Sequence, residues 1–486
     1  MDKLLVKKEN QSVLHIKCEQ SIGEELKDFF SFFVPGYKYM PAFRRKVWDG
    51  KIKLYNSISG ELPVGLHPYL KSFCSKRNYN MEHVSSVYGS PHEENPINVK
   101  LLMEFIESLK LPYKIRDYQF DAFVEGVKRK RAILVSPTGS GKSLIIYCLL
   151  RWYLSNYKTK ALVIVPTTSL VEQLYKDFKE YGYEKCHLIY SGKDKTTNKR
   201  VMISTWQSIH RLNVEWYDQF GIVFGDECHG FKAKSLTSIM HKSREAEYRF
   251  GTTGTLDGSQ THELVLQGLF GTVFKVTTTK KLQESNTLAQ LNISLIMLKY
   301  SNIIKKAFGI PTYQEEIEFL INNTNRNNFI KNLALDQKGN TLVLFQFVEK
   351  HGKVLYDMIL DKAKDNRKIF FVSGEVHVDD REAIRKITEK QSDAIIVASL
   401  GTFSTGINIV NLHNIIFASP SKSQIRVLQS IGRGLRKSDK DTKLFDIADD
   451  ITTKVRQNYS YIHARERIKI YNKEKFNYKI HEVNIQ

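Results

Sequence analysis

The 486-residue chain has only five cysteines, Cys18, Cys74, Cys148, Cys186 and Cys228, scattered singly with no disulfide or metal-ligand spacing among them. That excludes a disulfide framework, gives no support to a zinc site, and agrees with a reducing compartment. No run of eighteen apolar residues occurs, and Met1-Asp2-Lys3-Leu4-Leu5 lacks the long apolar core of a signal peptide. Internal repeats of solenoid period and low-complexity tracts are also missing. The expectation is a soluble, cytoplasmic protein with no membrane partner. Acidic residues are the remaining shortage: 52 Asp and Glu stand against 73 Lys and Arg, a formal net charge of +21. Such a balance favours a polyanion, and nucleic acid fits best because neutralised phosphates release counterions.

What is present is most informative at Ser136-Pro137-Thr138-Gly139-Ser140-Gly141-Lys142-Ser143, between the apolar runs Ala132 to Val135 and Leu144 to Ile146. That order predicts strand, glycine-rich loop and helix. Such a loop turns backbone N–H groups and a helix N-terminus toward phosphates, with Lys142 on the β/γ-phosphates and the Ser143 hydroxyl on Mg²⁺. The strict pattern opens with glycine where this chain has Ser136. Further on, Ile222-Val223-Phe224 reads as a buried parallel strand delivering Asp226-Glu227-Cys228-His229 at its end. Asp226 would hold magnesium and Glu227 would orient and deprotonate a water, the division of labour that nucleotide hydrolysis needs. Cys228 reads as a space filler. In Gln429-Ser430-Ile431-Gly432-Arg433-Gly434-Leu435-Arg436, the two arginines share one helix face and suit charge developing on a γ-phosphate. ATP and Mg²⁺ are the expected cofactors.

In order and content these segments resemble the superfamily 2 helicases with a DExH box, over roughly residues 110 to 450. Arg116-Asp117-Tyr118-Gln119 resembles the adenine-reading segment, with Gln119 suited to adenine N6 and N7. Val165-Pro166-Thr167 and Thr205-Trp206-Gln207 resemble motifs that contact a single strand. Thr253-Gly254-Thr255 resembles the motif coupling hydrolysis to movement. Leu342 to Phe345 with Phe347, and Ala398-Ser399 through Thr405-Gly406-Ile407, resemble motifs of the second half, and Gln429 to Arg436 the last. Within the superfamily, Asp28 to Phe32, Trp48 to Ile52, Tyr313 to Ile317 and Glu474 to Tyr478 are similar to the recombination and fork-remodelling helicases of T-even bacteriophages. The resemblance implies two RecA-like lobes, ATP hydrolysis, Gly406 at the nucleotide, and branched DNA as substrate: forks, Holliday junctions, or R-loops with their RNA. It also implies a host-cell cytoplasm and companions among single-strand-binding or recombination proteins. Alternatives are the motor subunit of a restriction or excision-repair system, and an ATP-switched nucleic-acid clamp that does not unwind.

The organisation expected is an α/β chain in three parts: a small α+β basic domain over 1–95, an ATP-binding RecA-like domain over 96–275, and a second RecA-like domain over 276–486 with a basic helical extension. Prolines around Ser90 to Pro96 mark the first boundary. Strands such as Ala161 to Val165 and Val201 to Ser204 alternate with helical stretches such as Ser169 to Glu180, as do Thr341 to Phe345, Lys368 to Val372, Ala394 to Ala398 and Asn414 to Ala418. Thr312 to Leu335 reads as helical, and the role of 256–340 is left open. Between Tyr37 and Tyr55 the basic residues Lys38, Arg44, Arg45, Lys46, Lys51 and Lys53 face only Asp49. Asp49-Gly50 reads there as the turn of a basic hairpin running from Arg45 to Tyr55, with Trp48 buried and the cations on a DNA-binding face. The tail from Arg465 to Tyr478 fits a nucleic-acid-binding helix or a docking helix equally.

Overall fold

Strands that are apolar at almost every position have no solvent face to offer, so they belong in a parallel sheet covered on both sides. The computed structural model of the chain has two such sheets. It describes residues 3–91, 94–256, 260–285, 287–288, 290–309, 311–363, 367–374, 376, 380, 383–384, 387–388, 390–402, 411–419, 441–453 and 456–485. The chain divides into two compact units, Met1–Ser136 with Gly141–Val276, and Pro137–Ser140 with Thr277–Gln486. Among the described residues, no helix is long and apolar enough to cross a membrane.

The first unit holds a seven-stranded parallel sheet in the order Val273–Lys275, Arg131–Val135, Tyr248–Thr253, Phe220–Asp226, Lys160–Val165, Val201–Thr205, Cys186–Ile189. Alternate residues serve opposite cores, as a period of two requires. Leu134, Ala161, Val163 and Phe224 pack with Ile145, Leu149 and Phe178 of the covering helices, while Ile133, Leu162, Ile164 and Val223 pack with Ile239, Met240 and Phe270.

The N-terminal domain belongs to this unit. Its mixed sheet runs Glu61–Pro63, Val13–Lys17, Lys3–Lys8, Asn80–Val84, and Leu4, Val6, Leu14, Leu70 and Phe73 form its core with the helices Gln20–Phe29 and His67–Arg77. A buried arginine fastens it to the larger sheet. Arg249 donates from Nη2 to Ser12 Oγ (2.7 Å), from Nε to Ala246 O (2.9 Å) and from Nη1 to Met240 O (3.0 Å). Gln11 N donates to Arg244 O at 2.8 Å and Tyr69 OH to Gln267 Oε1 at 3.1 Å. The backbones meet so closely that a Cβ on Gly65 would lie 1.9 Å from Gln267 O.

The hairpin expected at Asp49-Gly50 is corrected. Lys51–Lys53 does form a strand, but it pairs antiparallel with Ser31–Phe33, and the residues between Arg45 and Trp48 are not its partner. Pro41 starts a helical turn, Pro41–Arg44, because its fixed φ is already helical and its missing N–H is not needed there. Trp48 is half buried, with its indole N–H donated to Lys51 O at 2.8 Å.

The second unit's parallel sheet runs Ile369–Val372, Ile395–Ser399, Thr341–Phe345, Asn414–Phe417, Thr442–Asp450, Leu291–Tyr300, Tyr478–Ile485. The expected helix over 312–335 is two, Tyr313–Asn322 and Thr324–Asp336, broken where Asn323 caps the second by accepting from Arg326 N at 2.9 Å. Leu291–Tyr300 and Tyr478–Ile485, neither expected as strands, pair with each other in parallel.

The tail helix, Tyr459–Glu474, is a docking helix. Its Arg467 is fully buried against Asp446 (Nη2 to Oδ1 2.8 Å), and Tyr471 OH donates to Asp446 Oδ2 at 2.8 Å, while Arg465, Lys469 and Lys473 stay exposed. Asp449, on the same strand, takes Arg326 Nε at 2.8 Å and Tyr300 OH at 2.9 Å. Removing one member of a buried pair leaves a bare charge, so Arg467→Ala should lower the stability of this unit by about 3–5 kcal/mol in denaturant unfolding. Asp446→Leu combined with Arg467→Met should recover most of the loss.

Candidate nucleotide site and nucleic-acid interface

Because its strands are parallel, the first unit's sheet delivers the loops that follow them to one edge. Register sets which groups meet: Asp226 lies opposite Thr252, and Thr253 opposite Val135. Thr252 Oγ1 donates to Asp226 Oδ1 at 2.7 Å, and Ser136 N donates to Thr253 O at 2.9 Å. The next residue turns sharply. Glu227 has φ +49°, a left-handed conformation that costs a non-glycine residue energy and that concentrates at functional sites. It brings Glu227 Oε1 to 3.8 Å from Lys142 Nζ and Oε2 to 3.3 Å from His229 Nδ1. The same His229 nitrogen is 2.9 Å from Thr253 Oγ1, which donates to Thr255 O at 2.9 Å. Lys142, Glu227, His229 and Thr253 thus lie in a row, hydrogen-bonded from His229 onward and brought close by charge before it.

The glycine-rich loop shows why its glycines are there. Gly139 and Gly141 have φ of +83° and +81°, and a Cβ on Gly141 would lie 2.4 Å from Gln119 Nε2. Ser140 Oγ donates to Pro137 O at 2.6 Å, closing the loop on itself, and Thr138 is half buried. The helix Lys142–Asn156 begins at Gly141 without a side-chain cap, so its first N–H groups and its positive dipole end are left for an anion. Lys142 Nζ is held only loosely, 3.4 Å from Ser136 O. Ser143 Oγ is hydrogen-bonded to Tyr181 OH at 3.1 Å, and burial pushes that phenol up to about 12. Gln119 is buried; its Oε1 accepts from Arg116 N at 3.0 Å, and Arg116 Nη1 donates to Tyr118 OH at 3.0 Å.

The acid pair is electrostatically loaded. Burial, and then the neighbouring Glu227 carboxylate, raise Asp226 above the usual carboxylate range against the pull of Lys142 and Thr252. Burial likewise drives the Cys228 thiol far up, which leaves it inert and agrees with its reading as a space filler. An uncapped helix start, a loosely held lysine and a carboxylate strained by its own charge are the features that a phosphate chain with a divalent cation would satisfy. Ser143 and Asp226 are the candidate ligands of that cation.

Two candidate strand-contacting segments lie side by side on the same edge, since Thr205 lies opposite Val165 across paired strands. Gln207 Nε2 reaches Pro166 O at 3.4 Å. Thr167 caps the helix Thr168–Glu180, whereas Thr205 is buried with its hydroxyl 2.9 Å from Ser208 Oγ, so the exposed donor here is Gln207. Arg44, Arg45, Lys46 and Lys53 are exposed and Lys51 half buried on the N-terminal domain. Gly406, Gln429, Arg433 and Arg436 lie outside the described residues. Sequence reasoning missed His229 as the link between the acid pair and Thr253, because its adjacency to Cys228 suggested only metal chemistry. It missed Tyr181 because nothing in the spacing connects it to Ser143.

Comparison with known proteins sets this geometry in a family. Residues 97–258 match the model of the type III restriction enzyme res subunit, residues 325–438 that of the helicase conserved C-terminal domain, and residues 3–83 that of the DNA helicase UvsW N-terminal domain. Over 503 aligned residues the chain is 37% identical to the ATP-dependent DNA helicase uvsW of Enterobacteria phage T4, covering 98% of each. The chain belongs to the UvsW family of superfamily 2 helicases. The crystal structure of T4 UvsW aligns over all of both chains at 35% identity with a TM-score of 0.52. The DNA 3'-5' translocase XPB2 of Sulfurisphaera tokodaii is 24% identical, over 86% of this chain and 95% of its own. The resemblance to superfamily 2 and to the T-even phage helicases is therefore borne out, as are the two parallel-sheet lobes and the small α+β domain of the UvsW family.

The raised Asp226 carries a sign that can be tested. A carboxyl whose folded pKa lies above its unfolded value favours the fold at low pH and penalises it once ionised. Asp226→Asn should therefore melt at a higher temperature than wild type at pH 7, the gap closing as the pH falls toward about 4. A variant that melts lower at pH 7 would show that the Lys142 and Thr252 contacts outweigh the repulsion.

Proposed function

We propose that this chain is an ATP-driven DNA helicase or translocase that remodels branched DNA: forks, Holliday junctions and R-loops. The observation that carries the reading is the convergence of Lys142, the strained Glu227 and the half-buried Asp226 on one sheet edge, in a unit that also holds a UvsW-type N-terminal domain. Lys142 and the start of its helix would neutralise the β- and γ-phosphates, with the loop from Pro137 through Thr138, Gly139, Ser140 and Gly141 wrapping them. Ser143 and Asp226 would hold Mg²⁺, which supplies further charge neutralisation at the phosphate oxygens. Glu227, set by its left-handed turn between Lys142 and His229, would orient the attacking water and take its proton. His229 and Thr253 lie between Glu227 and the loop at Thr255, and would couple the two.

Gln119 and Arg116 would read the adenine, and the Gln119 amide abuts Gly141 of the phosphate loop. From the second half, Gly406 would complete the nucleotide site, with Gln429, Arg433 and Arg436 stabilising charge on the departing phosphate. Thr167, Thr205 and Gln207 would line the path of a single strand, and Arg44, Arg45, Lys46, Lys51 and Lys53 would grip DNA phosphates. The setting would be a phage-infected cytoplasm, alongside single-strand-binding or recombination proteins. The restriction-subunit reading is less well supported, because the similarity to uvsW extends over 98% of both chains rather than over the motor alone.

The test is ATP hydrolysis with no nucleic acid, single-stranded DNA, linear duplex and a four-way junction, across a salt series. Junction DNA should stimulate most, with affinity falling steeply as salt rises. Glu227→Gln should bind ATP but hydrolyse it at least about 10²-fold more slowly, and Lys142→Ala should lose both. Stimulation by RNA alone, or equal rates with and without nucleic acid, would overturn the DNA-motor reading. Hydrolysis without strand separation on forks would select the clamp.

A further inference from the structure

Residues 34–50 leave the core of the N-terminal domain and fold around a single ring. Tyr37 stacks on Phe33 with centroids 4.6 Å apart and meets Phe43 edge-on at 4.8 Å. Its ring fills the space that a Cβ on Gly50 would need, 2.4 Å away. Val34 N donates to Gly50 O at 2.9 Å, closing the segment. The indole N–H of Trp48 is fixed on Lys51 O, while Asp49 accepts from Lys51 N at 3.0 Å and pairs with Lys53 at 2.8 Å. The one acid of the segment is thereby engaged within it.

What these contacts leave outward is unusual for a surface. Tyr39 is 77% exposed and Val47 75% exposed, with Lys38, Arg44, Arg45 and Lys46 exposed among them. Lys46 adopts φ +57°, an uncommon conformation for a side-chain-bearing residue. Lys38, Phe43, Arg44, Lys46, Trp48 and Lys53 line an open pocket of about 700 Å³. The packing of Tyr37 with Phe33, Phe43 and Gly50 accounts for those rings, but not for Tyr39 and part of Trp48 left among cations at the surface.

The combination selects its occupant. A paired duplex offers phosphates to the cations but keeps its bases stacked, leaving the rings idle. An unpaired nucleotide engages both, its base on an aromatic face and its phosphates on guanidinium and ammonium groups. Locking Trp48 and Tyr37 in place beforehand removes most of the ordering cost of that contact. The platform also has a fixed position, since Arg249 and Ser12 fasten its domain to the sheet that carries Lys142 and Glu227.

We infer that this segment is a stacking platform for an unpaired base of single-stranded DNA at a branch point, with Trp48 and Phe43 receiving the base and Arg44 and Lys46 its phosphates. The inference rests on the DNA-remodelling reading above. The experiment measures equilibrium binding of the full-length protein to a fully paired junction, the same junction with a short run of unpaired thymines at the branch, and linear duplex. Wild type should prefer the junction with unpaired bases. Trp48→Ala should weaken that binding by about tenfold and leave duplex binding little changed, and Trp48→Phe should restore most of it. Should Trp48→Ala melt early, Arg44→Gln with Lys46→Gln removes only exposed cations and should lower the salt slope on the unpaired junction by about two.

Equal losses on duplex and on the unpaired junction, or no loss on either, would overturn the platform. Tighter binding of an unpaired uridine run in RNA than of thymines in DNA would overturn the DNA assignment. A wild type that does not distinguish any branched DNA from duplex would defeat the parent reading. Discrimination by wild type that Trp48→Ala leaves intact would defeat the platform alone.

Discussion

A strand buried on both faces can present polar chemistry only where it ends. In the first unit this constraint places Ser136, Thr205, Asp226 and Thr253 at the carboxyl ends of parallel strands, so loops that are remote in sequence open onto one edge. The strands around it are largely apolar, and Asp226 is desolvated enough to shift upward while Glu227 is bent into a left-handed turn beside it. Both features cost stability. Both are the kind of tension that bound phosphate and metal charge would relieve.

Buried charge does a different job in the second unit. Asp446 and Asp449 project from a central strand into helices that answer with Arg467 and Arg326, and each carboxylate also receives a tyrosine hydroxyl. Such pairs give little net stability, but their geometry is demanding, and the register in which the tail helix and the last strand dock is specified by them. In the first unit Arg249 is paired with no carboxylate among the described residues. Burial and the nearby Arg131 push its pKa well down, and it is held by carbonyls and Ser12. Its partners are carbonyls of the larger sheet's domain and one hydroxyl of the N-terminal domain, so a single buried guanidinium joins the two.

The N-terminal extension shows how local rules misled. Asp49-Gly50 carries the strongest short-range hairpin signal in the region, yet Gly50 is needed because Tyr37 lies against it, and the strand partner of Lys51–Lys53 is supplied from Ser31–Phe33, on the far side of a helical turn started by Pro41. A two-residue turn and a glycine that makes room for a ring look alike in sequence. Trp48 was read as buried and is half so, its N–H satisfied locally and part of it left at the pocket.

By itself the sequence determined the chemistry that depends on residue type at short spacing. The glycine-rich loop with Lys142 and Ser143, the Asp226-Glu227 pair at a strand end and the alternation of apolar strands with amphipathic helices are all local, and periodicity with loop composition suffices to read them. The basic excess likewise belongs to composition. Only the tertiary structure decided what depends on distant partners. It showed that His229 joins Glu227 to Thr253, that Tyr181 occupies Ser143, and that Thr205 is buried while Gln207 is not. It also showed that Leu291–Tyr300 and Tyr478–Ile485 are neighbouring strands and that Arg467 is core rather than surface. The physical reason is the same each time: a side chain's neighbours across a sheet are set by strand order and register, and no window along the chain contains that order.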